Sequence, residues 1–63
     1  MTTKFTYKFC YANGDSHSFL GVEDDTFYPD GSVQLVYNKE DPQQELIEVA
    51  PGYRYVTITR EEN

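Results

Sequence analysis

Phe5-Thr6-Tyr7-Lys8-Phe9-Cys10-Tyr11-Ala12-Asn13-Gly14-Asp15-Ser16-His17-Ser18-Phe19-Leu20-Gly21-Val22 is the stretch that decides the fold. Its first half alternates: Phe5, Tyr7, Phe9 and Tyr11 interleave with Lys4, Thr6, Lys8 and Cys10. Successive side chains of a strand point to opposite faces, so this spacing puts four rings on one side. Asn13-Gly14 then supplies the strongest short-range signal for a tight type I′ turn, and Ser16 to Val22 runs back. With a two-residue loop, Tyr7 is expected opposite Leu20 and Phe5 opposite Val22, both inward. Cys10 is expected opposite His17 and Lys8 opposite Phe19, both outward.

Downstream the pattern repeats in shorter runs. Glu23-Asp24-Asp25 reads as a solvated connection. Thr26-Phe27-Tyr28 reads as a short strand that Pro29-Asp30-Gly31 reverses, with Gly31 in the left-handed position of a three-residue loop. Ser32 to Tyr37 returns, with Val33, Leu35 and Tyr37 on one face and Phe27 opposite Val33. Residues 42–49 admit two readings. Asp41 as N-cap and Pro42 at the first helical position suit a short helix. Pro51 limits it to two turns, which favours a strand from Glu45 to Val49. That strand is expected to pair, across Ala50-Pro51-Gly52, with a last strand from Tyr53 to Arg60. The fold class is therefore all-β: a five- or six-stranded antiparallel meander in one domain spanning 1–63, as a rolled sheet or small open barrel.

Composition bounds the function. A chain of 63 residues buries only about 60% of its unfolded surface, so its core is thin. Cys10 is the single cysteine, which rules out an intrachain disulfide and suits a reducing compartment. Met1-Thr2-Thr3-Lys4 has no apolar run behind it, and no stretch approaches the roughly 20 apolar residues of a membrane helix. A cytoplasmic protein without a membrane partner is the expectation.

Chemistry finds little purchase. Cys10 and His17 are the one thiol and the one imidazole, too few for a zinc site and without the orienting group and oxyanion donors that nucleophilic catalysis needs. Aligning Asp30-Gly31 with a calcium loop puts Tyr28 and Thr26 where carboxylates belong. The glycines are isolated, so there is no phosphate loop. No enzyme, cofactor or metal is expected.

Charge is the positive signal. Of the net −6, residues 23–48 contribute −7: Glu23, Asp24, Asp25, Asp30, Glu40, Asp41, Glu45 and Glu48 against Lys39. Direct nucleic-acid binding needs clustered cations and is disfavoured. A basic protein partner fits better, with Glu23, Asp24, Asp25, Asp30, Glu40 and Asp41 as contact residues. Tyr53 and Tyr55, two apart on the last strand, are expected to project together beside Arg54, a composition enriched in interface hot spots. Ten aromatic rings and open strand edges also suggest a two-fold homodimer.

The aromatic strand ending in Asn13-Gly14, the Asp30-Gly31 turn and the closing Val49-Ala50-Pro51-Gly52-Tyr53 segment resemble those of short all-β proteins encoded by bacteriophages and bacteria. That resemblance implies an accessory protein or an inhibitor of a basic, nucleic-acid-binding host protein, and it transfers no functional residue. The alternatives are a self-assembling structural β protein and a single-strand nucleic-acid-binding barrel that stacks bases on Tyr53 and Tyr55.

Overall fold

Six strands form in the computed structural model, which describes residues 3–40 and 42–61. They are β1 (Phe5–Cys10), β2 (Ser16–Val22), β3 (Asp24–Phe27), β4 (Val33–Tyr37), β5 (Glu45–Val49) and β6 (Tyr55–Arg60). They make two antiparallel three-stranded sheets, β2-β1-β6 and β3-β4-β5, and no closed barrel. Tyr7, Phe9 and Val22 from the first sheet meet Val33, Leu35 and Val49 from the second, and these six are the buried core. From β2 to β3 the chain changes sheets through the single residue Glu23, whose N–H donates to the Val36 carbonyl at 2.9 Å.

The first hairpin closes with a three-residue loop instead of the expected two-residue turn. Gly14 N–H donates to the Tyr11 carbonyl at 3.0 Å and Tyr11 N–H to the Asp15 carbonyl at 2.9 Å. A type I′ turn needs positive φ at both central residues. Only Gly14 has it (φ 94), while the Asn13 side-chain oxygen accepts the Asp15 N–H at 3.0 Å. The extra residue slips the register: Tyr7 pairs with Phe19, Lys8 with Ser18, Phe9 with His17 and Cys10 with Ser16. Cys10 and His17 are thus on opposite faces, and Leu20, expected inside, is 66% exposed.

A bulge then restores the core. Phe5 pairs with Val22 as expected, because Leu20 and Gly21 together span the place opposite Thr6. Gly21 takes φ 75 there, and the extra residue returns Val22 to the inner face, fully buried.

The second hairpin keeps its expected loop and its Phe27–Val33 pair, but its first strand is Asp24–Phe27 and not Thr26 to Tyr28. Asp24 and Asp25, expected in a solvated connection, pair with Val36 and Leu35, because one residue suffices to change sheets. Asp25 pairs with Leu35 and Phe27 with Val33, and Gly31 sits at φ 95. Its loop repeats the first: Gly31 N–H donates to the Tyr28 carbonyl, Tyr28 N–H to the Ser32 carbonyl, and the Asp30 carboxylate accepts the Ser32 N–H. Phe27 lies on an edge strand and stays half exposed although Val33 beside it is buried.

Residues 45–49 form the strand and not the helix, with Ile47 and Val49 facing in. Glu45–Val49 pairs with β4, not with the last strand. β6 instead joins β1, Phe9 opposite Val56 and Cys10 opposite Tyr55. The reason is geometric: after Val49 the chain crosses back to the first sheet, where β1 has a free edge. Tyr53 precedes the ladder, so strand alternation does not link it to Tyr55.

Candidate functional site

The two sheets divide the charge. FTYKFC, SHSFLGV and YVTITR, the strands of the first sheet, contain no carboxylate. DDTF, VQLVY and ELIEV, the strands of the second, contain no cation and carry Asp24, Asp25, Glu45 and Glu48. An imbalance along the sequence has become a difference between two layers.

Within the acidic layer the carboxylates are not equivalent. Asp25 points inward, where it accepts a short hydrogen bond from the buried Tyr7 hydroxyl. Burial first, then that bond and the negative charges of Asp25 and Asp24, hold the Tyr7 phenol well above its ordinary range. Asp24 pairs with Lys39 at 2.9 Å, and Lys39 holds its carboxyl below the usual value. Glu23 accepts the Lys39 N–H at 3.0 Å. Asp30 accepts both the Ser32 N–H (2.9 Å) and the Ser32 hydroxyl (2.6 Å), and these bonds lower its pKa. Of the expected contact residues, Asp25 is therefore occupied by the fold, and Asp24 and Glu23 are tied to Lys39. Glu40 is exposed in the β4–β5 turn. Asp41 lies outside the described residues.

One groove brings acids and an aromatic ring together. It has a volume of about 440 Å³ and is lined by Tyr28, Pro29, Asp30, Ser32 and Glu48. The second hairpin loop supplies four of these residues. β5 supplies Glu48, which pairs with Gln34 on the outer face. Among the described residues no cation is ion-paired with Asp30 or Glu48. Sequence reasoning named Asp30 but missed Tyr28 and Glu48. The signal for Tyr28 was its place just before the turn proline, and for Glu48 the outward phase of a strand whose inner residues are Ile47 and Val49.

Tyr53 and Tyr55 part company. The Tyr53 ring packs edge-on against Phe9 with centroids 5.1 Å apart, inside the sandwich. Tyr55 is 56% exposed on the outer face of the first sheet, where a hydrogen bond to the Cys10 thiol raises its pKa. His17 stacks edge-on with Tyr11 at 5.6 Å. No cluster of His, Cys, Asp and Glu suited to a metal ion occurs among the described residues, and no described helix is long and apolar enough to cross a membrane.

No protein-family model, curated protein or solved structure gives a significant match to this chain.

Proposed function

We propose that this chain is a non-enzymatic protein-binding module whose acidic layer, β3-β4-β5, engages a basic partner. The observation that carries the reading is the groove beside the second hairpin loop. Two carboxylates that no cation among the described residues pairs with, Asp30 and Glu48, line it together with the exposed Tyr28. A lysine or arginine side chain suits such a place, because carboxylates take its charge while an aromatic face attracts the cation. Glu40 and Glu45, at the far end of the β4–β5 hairpin, add to the negative charge of the layer as a whole, which would steer a basic surface toward this sheet.

The sharper form of the proposal is an inhibitor, phage-encoded by the resemblance, that covers the surface a host protein uses to hold nucleic acid. Spaced carboxylates on a rigid sheet compete with phosphates for the same lysines and arginines.

A short arginine-rich peptide tests the groove directly. Paired Asp30→Asn and Glu48→Gln changes should weaken its binding about fivefold or more, on the scale of one to two exposed charge contacts. Binding should also fall as salt rises. Unchanged affinity in the double variant, or affinity indifferent to salt, would refute the acidic groove as the contact surface.

Self-association is the second reading, favoured by one observation. β6, Tyr55–Arg60, is a six-residue edge strand rich in β-branched residues with no guarding bulge. Pairing two copies there would give one six-stranded sheet. Sedimentation that reports 7.3 kDa at both low and high salt removes it.

A further inference from the structure

On the opposite layer the first hairpin loop borders a second cleft, of about 350 Å³, whose lining includes Lys8, Cys10, Asp15, Ser16, Arg54 and Tyr55. We infer that this cleft is a binding site for a monocarboxylate, held between the Lys8 ammonium and the Arg54 guanidinium. The inference does not rest on the acidic groove, which lies on the other sheet.

Scarcity of cations makes the placement informative. The chain has five lysines and arginines against eleven acids, so each cation has carboxylates to choose from. The ion pair among the described residues is Lys39 with Asp24. Among those residues Lys8 and Arg54 make none, and both line the same cleft. They come from distant parts of the chain: Lys8 from the middle of β1, Arg54 from the approach to β6. Arg54 is anchored by its backbone, whose N–H donates to the Cys10 carbonyl at 2.7 Å. That bond fixes the start of the Arg54 side chain next to the strand that carries Lys8.

The rest of the lining fits the same ligand. Ser16 and Tyr55 provide hydroxyls, and the strands around them provide no competing carboxylate. Asp15 is the single acid in the lining, and the Asn13 side-chain amide already binds it at 3.0 Å. Two cations against one acid leave a local charge of +1, which matches a monoanion. A guanidinium presents two parallel donors to the two oxygens of a carboxylate, and the ammonium adds a third contact. The cleft lies at the small end of the range for ligand pockets, so the group it takes is a small free acid or the carboxylate of a peptide.

Amide chemical shifts give a direct readout, with the intact protein titrated at constant ionic strength. Acetate should shift Lys8, Cys10 and Arg54 saturably, and leave Lys4, Lys39 and Arg60 unmoved. Lys8→Gln and Arg54→Gln are exposed changes that keep the fold, checked by the rest of the spectrum, and each should weaken acetate at least tenfold. A peptide with a free C-terminus should reproduce the shifts and its C-terminal amide should not. A peptide that binds far tighter than acetate identifies the source as a protein chain, and equal affinity identifies a free acid. Inorganic phosphate should bind more weakly than acetate. Cys10 offers a second readout through alkylation. Iodoacetate carries the proposed carboxylate, so its rate relative to neutral iodoacetamide should exceed that of a free thiol and return to it in Arg54→Gln. Shifts shared by all cations, phosphate that outcompetes acetate, or variants that bind acetate normally would overturn the assignment.

Discussion

Replacement of Glu61 by alanine should cost this small domain a large share of its stability. Glu61 follows β6, and one of its carboxylate oxygens accepts two hydrogen bonds. The Gly21 N–H donates at 2.6 Å and the Thr6 hydroxyl at 3.0 Å. Thr6 is on the central strand and Gly21 on the far one, so a single carboxylate ties β6 across β1 to β2. The Gly21 N–H sits in the bulge, where the ladder offers it no regular partner. Without Glu61 that partly buried donor is unsatisfied, and the bulge that returns Val22 to the core loses its clamp.

A hydrogen bond to a charged group contributes about 1.5–3 kcal/mol and an ordinary one about 0.5–1.5. Partial exposure of the site brings the sum down to about 2 kcal/mol by solvent screening. A chain of this length has roughly 3–9 kcal/mol in all. Each kcal/mol shifts the melting midpoint of so small a domain by roughly 4–8 °C, so a fall on the order of 10 °C is expected. Glu61→Gln keeps an acceptor oxygen without the charge and should fall about halfway. Thr6→Val in both backgrounds isolates the hydroxyl bond by a double-mutant cycle. Urea titration followed by tyrosine fluorescence provides the measurement. A Glu61→Ala midpoint within about 0.5 kcal/mol of the parent would refute the clamp, since that is the range of an idle surface change.

Gly14→Val should lose more than ~1 kcal/mol, because a β-branched residue resists φ 94 even with open space around its Cβ; a neutral result in the same urea titration would reject the loop conformation. Stability should fall as pH rises through the tyrosine range: the folded pKa of Tyr7 is raised, so its contribution is complete below the unfolded value of about 10 and lost above it. Urea midpoints at pH 8 and pH 11 test this, and Tyr7→Phe should flatten much of the slope; an unchanged slope would mean Tyr37 and Tyr55, also raised, carry it. Asp24 and Asp30 have lowered folded pKa values, so their stabilisation is present above an unfolded value of about 4 and disappears as pH falls through the folded one. Acid titration of Asp24→Asn should show a shallower loss than the parent, and an identical curve would discount the Lys39 pair. Sodium chloride should raise the urea midpoint by screening repulsion within the acidic layer, a trend that a flat or falling midpoint would contradict.

Local signals carried much of this fold. The Pro29-Asp30-Gly31 loop, the Phe27–Val33 pairing and the strand at 45–49 all follow from turn residues and alternation over a few positions. What escaped is either long-range or irregular. Nothing near β6 says that its neighbour is β1, a strand some fifty residues earlier. Gly21 inside a strand is the accepted mark of a bulge, yet alternation alone passes over it and places Leu20 inside. The loop length at Asn13-Gly14 was legible by analogy: Tyr11-Ala12-Asn13-Gly14-Asp15 has the form of Tyr28-Pro29-Asp30-Gly31-Ser32, and the second is a three-residue loop. At the candidate sites, charge counting found the acidic layer but not its spent members. Asp25 looked like one of three solvated acids because the Tyr7 hydroxyl that binds it comes from the other sheet.

The shared loop form separates what makes the two clefts alike from what makes them differ. Each loop places a tyrosine before the turn and an Asn or Asp whose side-chain oxygen holds the backbone N–H two residues on. Both therefore offer a rigid rim with glycine at its corner. The sign of each cleft comes from the strand that runs past the rim. β5 brings Glu48 to the second loop, while β1 and the residue before β6 bring Lys8 and Arg54 to the first. Strand order in the two sheets, rather than turn chemistry, thus decides that one rim faces cations and the other anions. Asn13 and Asp30 play the same part in the two loops, and Asp15 stands where Ser32 does, so each loop holds one carboxylate, yet only Asp30 shares its cleft with a second one. The two proposed ligands, a basic partner and a carboxylate, would occupy opposite layers of the sandwich and would not exclude one another.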